Sequence, residues 1–217
     1  MRHQRTAPST CLIVHHVPVS SLFFRIKSDG SARILRLTSP DGTNRLTRAC
    51  VLALTAAFAE LKDELQKQLR PLIIAGNRHF FSVGADLNEI AALTGSEACQ
   101  FSAMGQTLMN AIASYPVAVI AAIDGHCMGG GLDLALACHR RIAAPHPVFG
   151  HRGAALGLMT GWGGTQRLPR LIGKGRALEL FIAAEKISAT RALEIGMVDT
   201  IADDPVAEAL RQLHMSR

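Results

Sequence analysis

The chain has 217 residues, of which 48% are hydrophobic, 5% aromatic and 18% charged, and its formal net charge at pH 7 is +6. This length and apolar content suffice for the core of one domain. The longest apolar run, residues 117–123, is too short to cross a bilayer. The few aromatic residues and the abundance of Ala, Leu, Ile and Gly favour helices packed on buried strands, so we predict an α/β fold.

The cysteines and the N-terminal residues bear on location and domain boundaries. No CxxC pair is present, which predicts reduced thiols and a cytoplasmic protein, or a mitochondrial one in a eukaryote. We interpret residues 1–22 as a basic tail ahead of a single domain spanning 23–217. A transit peptide is the less favoured interpretation because Pro8 and Pro18 interrupt any amphipathic helix. The cysteines are Cys11, Cys50, Cys99, Cys127 and Cys138.

Strands and helices are predicted to alternate in the first half of the chain. Residues 23–36 are typical of two strands joined by a turn at residues 28–31. Apolar side chains recur every three or four residues from Thr47 to about Gln66, which predicts an amphipathic helix. The short apolar run 71–76 ends in a glycine, as buried parallel strands often do. A helix followed by such a strand indicates a β-α-β crossover.

The alternation continues in the second half. Ser96 is predicted to cap a helix that runs to about Ser114, and the buried strand 117–123 follows. The glycines at 129–131 then lead directly into a helical pattern over 132–139. Further helices are predicted at 165–171, 176–184, 188–196 and 205–215.

Two glycine-containing loops, residues 81–86 and 129–131, each follow a predicted strand. Ligands of open α/β sheets bind at that edge, where the N–H groups of a helix start carry a partial positive charge. Two such amides directed at one carbonyl oxygen would stabilise a developing enolate. The alternative is that the glycines only form tight turns. Neither a phosphate-loop nor a dinucleotide-binding glycine pattern is present, and the nine histidines show no metal-ligand spacing, so no metal is predicted.

Three motifs resemble the signatures of the crotonase (enoyl-CoA hydratase/isomerase) family, at residues 74–87 (IAGNRHFFSVGADL), 122–135 (AIDGHCMGGGLDLA) and 163–168 (GGTQRL). They occur in the family's order, and the resemblance spans about residues 23–201. It implies repeated ββα units with a helical C-terminal region that is shortened here. It also implies an acyl-CoA substrate, no tightly bound cofactor, and a homotrimer or a pair of trimers.

The resemblance also assigns roles to residues. Val83 and Gly130 match the two backbone amides that polarise the thioester carbonyl. The hydratases carry two catalytic glutamates, and here Asp133 occupies the first position and Gly153 the second. Asp133 is thus either the main proton-transfer group or a charge that stabilises the start of its helix. His151 is either an acid or base that replaces the missing carboxylate or a solvent-exposed loop residue.

The remaining carried-over residues concern coenzyme A. Arg78 is expected to attract its phosphates, and Phe81, Ala85, Asp86 and Leu87 are expected to line the ligand site. Asp86 also suits a structural role, as a hydrogen-bond acceptor within its loop.

These observations lead to an enzyme that stabilises a thioester enolate, with hydratase or double-bond isomerase activity. Three alternatives stay open: a single-base isomerase, decarboxylase or C–C lyase, an inactive acyl-CoA-binding relative, and an RNA-binding relative. The positive charge is the reason for keeping the last, although nucleic acid is not the expected partner. Arg140 and Arg141 are expected on solvated helix faces or in subunit contacts.

Overall fold

The computed structural model of the protein describes residues 22–30, 32–64 and 70–215. The predicted basic tail lies outside these ranges except for Leu22, and so do Cys11, the turn residue Ser31 and the predicted helix end at Gln66. Cys50, Cys99, Cys127 and Cys138 are free, and all but Cys99 are buried. No helix among the described residues is both long enough and apolar enough to span a membrane.

The described residues form ten strands and eight α-helices, with one 3₁₀ turn at Ala154–Leu156. The strands are β1 (Phe24–Asp29), β2 (Ala32–Leu37), β3 (Leu72–Ala75), β4 (Phe80–Ser82), β5 (Val119–Ile123), β6 (His126–Met128), β7 (Arg140–Ala143), β8 (Val148–Gly150), β9 (Ile187–Ser188) and β10 (Thr200–Ile201). The helices are α1 (Arg48–Glu64), α2 (Leu87–Ala91), α3 (Gly95–Ala113), α4 (Gly130–Ala137), α5 (Gly164–Ile172), α6 (Lys174–Ala183), α7 (Ala189–Glu194) and α8 (Pro205–Met215).

Two sheets organise these elements. The larger has the order β1-β2-β3-β5-β7-β10, in which only the β1–β2 pair is antiparallel. The smaller has the order β4-β6-β8-β9, and only its last pair is antiparallel. This is the predicted α/β fold.

The central strands of the larger sheet, β3 and β5, are buried on both faces. In β3, Leu72 and Ile74 pack into the main core together with side chains of α1 and α3. Ile73 and Ala75 point to the other side and pack into a smaller core that includes Ala209 of α8. All four β3 side chains are at most 1% exposed. A strand buried on both faces has no polar side to alternate with, which explains the continuous apolar run in the sequence.

The repeated ββα unit predicted from the resemblance is visible in the connections. β3 leads through a short turn into β4 and then α2, and β5 leads in the same way into β6 and then α4. β7 likewise leads into β8, which the 3₁₀ turn follows. The short second strand of each unit therefore carries the chain from the larger sheet to the smaller one. The glycine loops begin where β4 and β6 end.

Several local predictions need correction. The N-cap of α3 is Thr94, not Ser96, because the Thr94 side chain and Glu97 form a reciprocal capping box around the first turn. The short strands β4, β6, β8 and β9 were not predicted, since two or three residues are too few to show a period. Ser188, by contrast, caps α7 as predicted, with its hydroxyl accepting the Arg191 N–H at 3.1 Å.

The predicted position on a helix face is wrong for Arg140 and Arg141, because both lie in β7. A subunit contact stays a prediction for Arg140, which is exposed. Arg141 is only 4% exposed. Its guanidinium pairs with Asp199 at 2.9 Å and donates to the carbonyl of Met197 at 2.8 Å. Arg141 therefore joins β7 to the turn before β10, and its buried charge is paired, as a buried charge must be.

Candidate active site

A cavity of about 580 Å³ lies at the ends of β4 and β6. Backbone of the two glycine loops forms one wall, and the loop between β8 and α5 forms another. Much of the remaining lining is apolar, as expected of a pocket for an organic ligand. The larger apolar side chains in this lining are Leu87, Ile90, Leu93, Phe101, Leu156, Met159 and Trp162.

The two glycine loops touch each other through their backbones. Gly84 has a φ of +90°, and a Cβ there would lie 2.6 Å from the amide nitrogen of Gly130 and 2.7 Å from the carbonyl oxygen of Met128. Gly129, the N-cap of α4, has a φ of +52°. Both positions therefore favour glycine. At Gly84 a side chain would clash and the φ is positive, and at Gly129 only the positive φ favours glycine. The glycines do form tight turns, and these turns bring two stretches of backbone to one place.

The amides available at this place are those of Ala85 and Gly130. The Ala85 nitrogen lies 3.3 Å from the position that a Cβ on Gly130 would occupy, and both residues line the cavity. Within the part of the chain that the structure describes, neither N–H group donates a hydrogen bond. Gly130 is the first residue of α4, so its N–H has no partner inside the helix.

The prediction that Val83 supplies one donor is wrong. Its N–H already donates to the carbonyl of Thr43, at 3.2 Å. Val83 still lines the cavity. The free amide belongs to Ala85, two residues later, for which the sequence predicts only a place in the lining. The motif alone does not distinguish these amides, because the difference is made by a hydrogen bond to a segment about forty residues away.

Asp133 lies on the first turns of α4 and is 1% exposed. The Thr160 hydroxyl donates a short hydrogen bond to its Oδ2. The Nε2 atom of His151, a residue only 7% exposed, lies 3.1 Å from Oδ1. The α4 cap is Gly129, with no side-chain hydrogen bond. Asp133 therefore makes no capping hydrogen bond, although its charge lies in the first turn of α4 as its structural alternative requires, and His151 is not the solvent-exposed residue that was its alternative.

The contact between Asp133 and His151 is close, but it lacks the alignment of a hydrogen bond. Both Oδ1 and Nε2 are buried without a hydrogen-bond partner among the described residues. Buried polar atoms normally have such a partner. Asp133 and His151 both line the cavity. Gly164 makes room for the pair, because a Cβ there would lie 3.0 Å from Nε2. The pair can thus complete its hydrogen bonding with a water molecule or a ligand atom.

Gly153, at the position of the second glutamate, lies against the backbone of its own loop. A Cβ at this position would lie 2.7 Å from the carbonyl oxygen of Leu158. The Leu158 N–H in turn donates to the Gly153 carbonyl at 2.8 Å. The backbone of residues 153 and 158 is therefore in direct contact, and a side chain at position 153 would clash with it.

The predicted ligand-binding residues divide into two groups. Leu87 lines the cavity and is 54% exposed. Phe81 is fully buried in the main core, so it does not take the predicted position in the lining. Arg78 is exposed and lies outside the lining, and its attraction for the coenzyme A phosphates stays a prediction. Asp86 has the structural role that was its alternative. Its carboxylate caps α2 and pairs with Arg45 at 3.2 Å.

Two residues of the site, Thr160 and Trp162, were not predicted from the sequence. The Trp162 ring lies against Gly130, where a Cβ would come within 2.6 Å of it, and its Nε1 donates to the Phe101 carbonyl at 3.2 Å. Both lie in the glycine-rich loop between β8 and α5. Burial raises the pKa of the neighbouring Cys127 thiol well above its ordinary value, so Cys127 is not a thiolate nucleophile.

Comparisons with known proteins match the chain to one family. The model of the family described as enoyl-CoA hydratase/isomerase matches residues 28–215. The chain is 46% identical over 142 residues to a probable enoyl-CoA hydratase of Bacillus subtilis (strain 168), in an alignment that covers 65% of this chain and 55% of that protein. It is 38% identical over 189 residues to the fatty acid oxidation complex subunit alpha of Shewanella halifaxensis (strain HAW-EB4), covering 85% of this chain and 26% of that one. The chain thus spans about half and about a quarter of the lengths of these two relatives.

Solved structures show the same fold. An enoyl-CoA hydratase from Bacillus anthracis superposes with a TM-score of 0.83 at 32% identity, covering 89% of this chain and 76% of that one. Pseudomonas aeruginosa DspI superposes with a TM-score of 0.84 at 30% identity, covering 93% of this chain and 76% of that one.

Proposed function

We propose that this chain, which belongs to the enoyl-CoA hydratase/isomerase family, adds water across the double bond of an enoyl thioester of coenzyme A. The observation that carries the proposal is that one cavity is lined by two backbone amides and by an acid/base pair. In the described part of the chain, the N–H groups of Ala85 and Gly130 donate no hydrogen bond, and Oδ1 of Asp133 and Nε2 of His151 have no hydrogen-bond partner. Hydration needs both parts, since one must stabilise an enolate and the other must move protons.

The two amides would bind the thioester oxygen. When water attacks the β-carbon, electrons move toward that oxygen and an enolate develops. The N–H groups of Ala85 and Gly130 would then donate to a more negative acceptor than in the ground state. Interactions that strengthen in the transition state are those that accelerate a reaction, and removing one such donor typically costs on the order of a hundredfold or more in rate.

Asp133 and His151 would share the proton transfers. In the proposed reaction a water molecule beside the pair forms hydrogen bonds with both Oδ1 and Nε2, and the pair accepts one of its protons as the water oxygen bonds to the β-carbon. The pair then returns a proton to the α-carbon, so that it ends the cycle as it began. His151 in this scheme supplies the second proton-transfer group that Gly153 cannot provide. Thr160 keeps the Asp133 carboxylate oriented through Oδ2.

The same pair supports a second candidate, double-bond isomerisation. Moving a double bond requires one group to remove a proton and to return a proton at another carbon, with no water consumed. The observation that favours this candidate is that Asp133 and His151 form one centre, with 3.1 Å between Nε2 and Oδ1, rather than two separated carboxylates.

The assay separates the two activities and tests Asp133. Hydration of a conjugated short- or medium-chain enoyl-CoA lowers the enoyl-thioester absorbance, whereas isomerisation of the β,γ-unsaturated compound raises it. For Asp133→Asn we expect kcat to fall about a thousandfold, within the usual range for losing an acid/base group. The matched control is Asp63→Asn on the exposed surface of α1, which should leave kcat unchanged. The proposal fails if the chain turns over neither substrate, or if Asp133→Asn remains fully active.

We further propose that the chain associates with copies of itself, as the resemblance implies. On α6, Leu178 and Ile182 are 59% and 68% exposed and lie one helical turn apart. Such an exposed apolar stripe is typical of an interface. Light scattering of the purified chain should give a mass of at least twice the 23.2 kDa of one chain. A monomer at assay concentration would contradict the proposal.

A further inference from the structure

Asn44 is a buried polar residue outside the cavity, 3% exposed and with a φ of 52°. Its side-chain amide donates to the carbonyls of Phe80, at 2.9 Å, and Phe81, at 3.2 Å. Its own backbone carbonyl accepts the Ser82 hydroxyl at 2.7 Å. One residue from the loop before α1 thus bonds to all three residues of β4.

The residues that follow β4 are bonded to the same segment. The Val83 N–H donates to the Thr43 carbonyl at 3.2 Å, and the Gly84 carbonyl accepts the Leu46 N–H at 2.9 Å. The Gly84 N–H donates to the Ser82 hydroxyl at 3.0 Å, and that hydroxyl is the one directed at Asn44. We call the segment 43–46 the brace. It contacts the loop continuously up to Gly84.

Ala85 is the first residue of the loop whose amide is left free. It forms a bridge to Leu46 in the brace, but its N–H has no partner among the described residues and lies beside Gly130. Its position is therefore fixed by the residues before it. We infer that Asn44 is a positioning residue for the reaction, which sets where the Ala85 amide meets the thioester oxygen; this inference rests on the proposed function.

The orientation of the Asn44 side chain follows from its partners. Two carbonyl oxygens require a donor, so the nitrogen faces Phe80 and Phe81. The opposite atom, Oδ1, is buried without a partner in the described part of the chain. Asn and Gly tolerate positive φ better than other residues. Asn44→Gly therefore removes both donors while keeping the backbone conformation, and Asn44→Asp replaces the donors with oxygens that repel both carbonyls.

The experiment measures kinetics and two binding constants. For Asn44→Gly we expect kcat for a short enoyl-CoA to fall roughly 10- to 100-fold, since a displacement of about 1 Å has an effect of this size. KM should change less than about threefold, because ground-state binding to the rest of the cavity is retained. By calorimetry, an acyl-CoA thioester should bind up to about threefold more weakly, in line with the change in KM, whereas the thioether analogue without a carbonyl oxygen should bind as tightly as it does to the wild type. Asn44→Asp should show the larger loss of kcat.

A matched control separates positioning from the general effect of a glycine. Ala184 is the other non-glycine residue with positive φ in the described chain, at 51°, and it caps α6 outside the cavity lining. Ala184→Gly should leave kcat and both affinities unchanged. If Asn44→Gly keeps wild-type kcat, or weakens thioester and thioether equally, the inference is overturned.

Amide hydrogen exchange of the ligand-free protein tests the brace without any substrate. The N–H groups of Val83 and Gly84 should exchange slowly in the wild type and clearly faster in Asn44→Gly, while those of α6 stay unchanged. Equal exchange in the two proteins would overturn the inference. Failure of the proposed function has a different signature, because the wild type would then turn over no enoyl-CoA while these amides still responded to Asn44→Gly.

Discussion

Two walls of the cavity differ in what they present to a ligand. The amide wall, residues 83–85 and 129–131, presents backbone N–H groups in turns that favour glycine. The acid/base wall, formed by Asp133, His151 and Thr160, presents side chains from α4 and from the loop before α5. The hydrogen-bond donors of the amide wall depend on the path of the main chain. The reactive groups of the acid/base wall depend on the side chains at three positions that are distant in sequence.

This difference determines how each wall is damaged. A substitution in the amide wall acts through shape, because the donors remain whatever side chain is present. A substitution in the acid/base wall acts through chemistry, because it removes an acceptor, a donor or a charge while the backbone stays in place. Changes in the first wall should therefore lower stability and rate together, whereas changes in the second should lower the rate mainly by removing a reacting or orienting group.

Gly84→Ala is the strongest test of the amide wall. Its Cβ would lie 2.6 Å from the Gly130 nitrogen, so the two loops must separate. We expect kcat/KM to fall about a hundredfold or more, because the two donors no longer converge. The free energy of unfolding should also fall by about 2 kcal/mol, as in other overpacked sites. Steady-state kinetics and urea unfolding measure the two effects.

The control for Gly84→Ala is Gly157→Ala. Gly157 also has a positive φ, +69°, but no atom lies within 4 Å of its Cβ position. It therefore has the conformational strain without the contact between loops. Equal losses of activity in the two variants would mean that the approach of Gly84 to Gly130 has no functional role.

Thr160→Val tests the acid/base wall with a smaller change. Valine keeps the shape of threonine but removes the hydroxyl that donates to Oδ2 of Asp133. A hydrogen bond to a carboxylate contributes about 1.5–3 kcal/mol, so we expect kcat to fall roughly 10- to 100-fold. Binding of the thioether analogue should stay unchanged. Thr107→Val on the surface of α3 is the control, and an equal loss of kcat there would refute the role given to Thr160.

The two walls also differ in how well the sequence predicts them. Glycines that follow two successive predicted strands indicate tight turns or a close approach of the backbone, so the loops of the amide wall could be located from the sequence alone. The donor was nevertheless placed at Val83 rather than Ala85. What separates these residues is the hydrogen bond from Val83 to Thr43, and a contact across forty residues leaves no trace in a local motif.

The acid/base wall was predicted less completely. Asp133 and His151 were both candidates, but their pairing and burial depend on how α4 meets the loop after β8. Thr160 was not a candidate, since a threonine in a glycine-rich loop has no distinctive pattern. In the fold, long elements such as α1 and β5 were predicted, whereas the strands of the smaller sheet were missed because each has at most three residues.

Asp41→Ala has the smallest expected effect, because it acts on the amide wall only through the start of the brace. Hydrogen bonds from Ser39 and Thr43 lower the pKa of Asp41 from its ordinary value of 3.8 to about 2. A lowered pKa in the folded state means that the carboxylate stabilises the fold above pH 3.8 and that this contribution is lost as the pH falls through about 2. The Tm difference between wild type and Asp41→Ala should thus be constant near neutral pH and vanish toward pH 2.

The activity of Asp41→Ala tests whether a change next to the first residue of the brace, Thr43, affects the reaction as much as a change at Asn44 inside it. The Asp41 side chain is about half exposed, so we expect kcat to stay within about twofold of the wild type. Asp63→Ala, on the exposed surface of α1, is the control for removing a carboxylate. A loss as large as that of Asn44→Gly would mean that the brace transmits disturbance from its solvent side. The positions of the amide-wall donors would then depend on hydrogen bonds at the protein surface as well as on the buried ones.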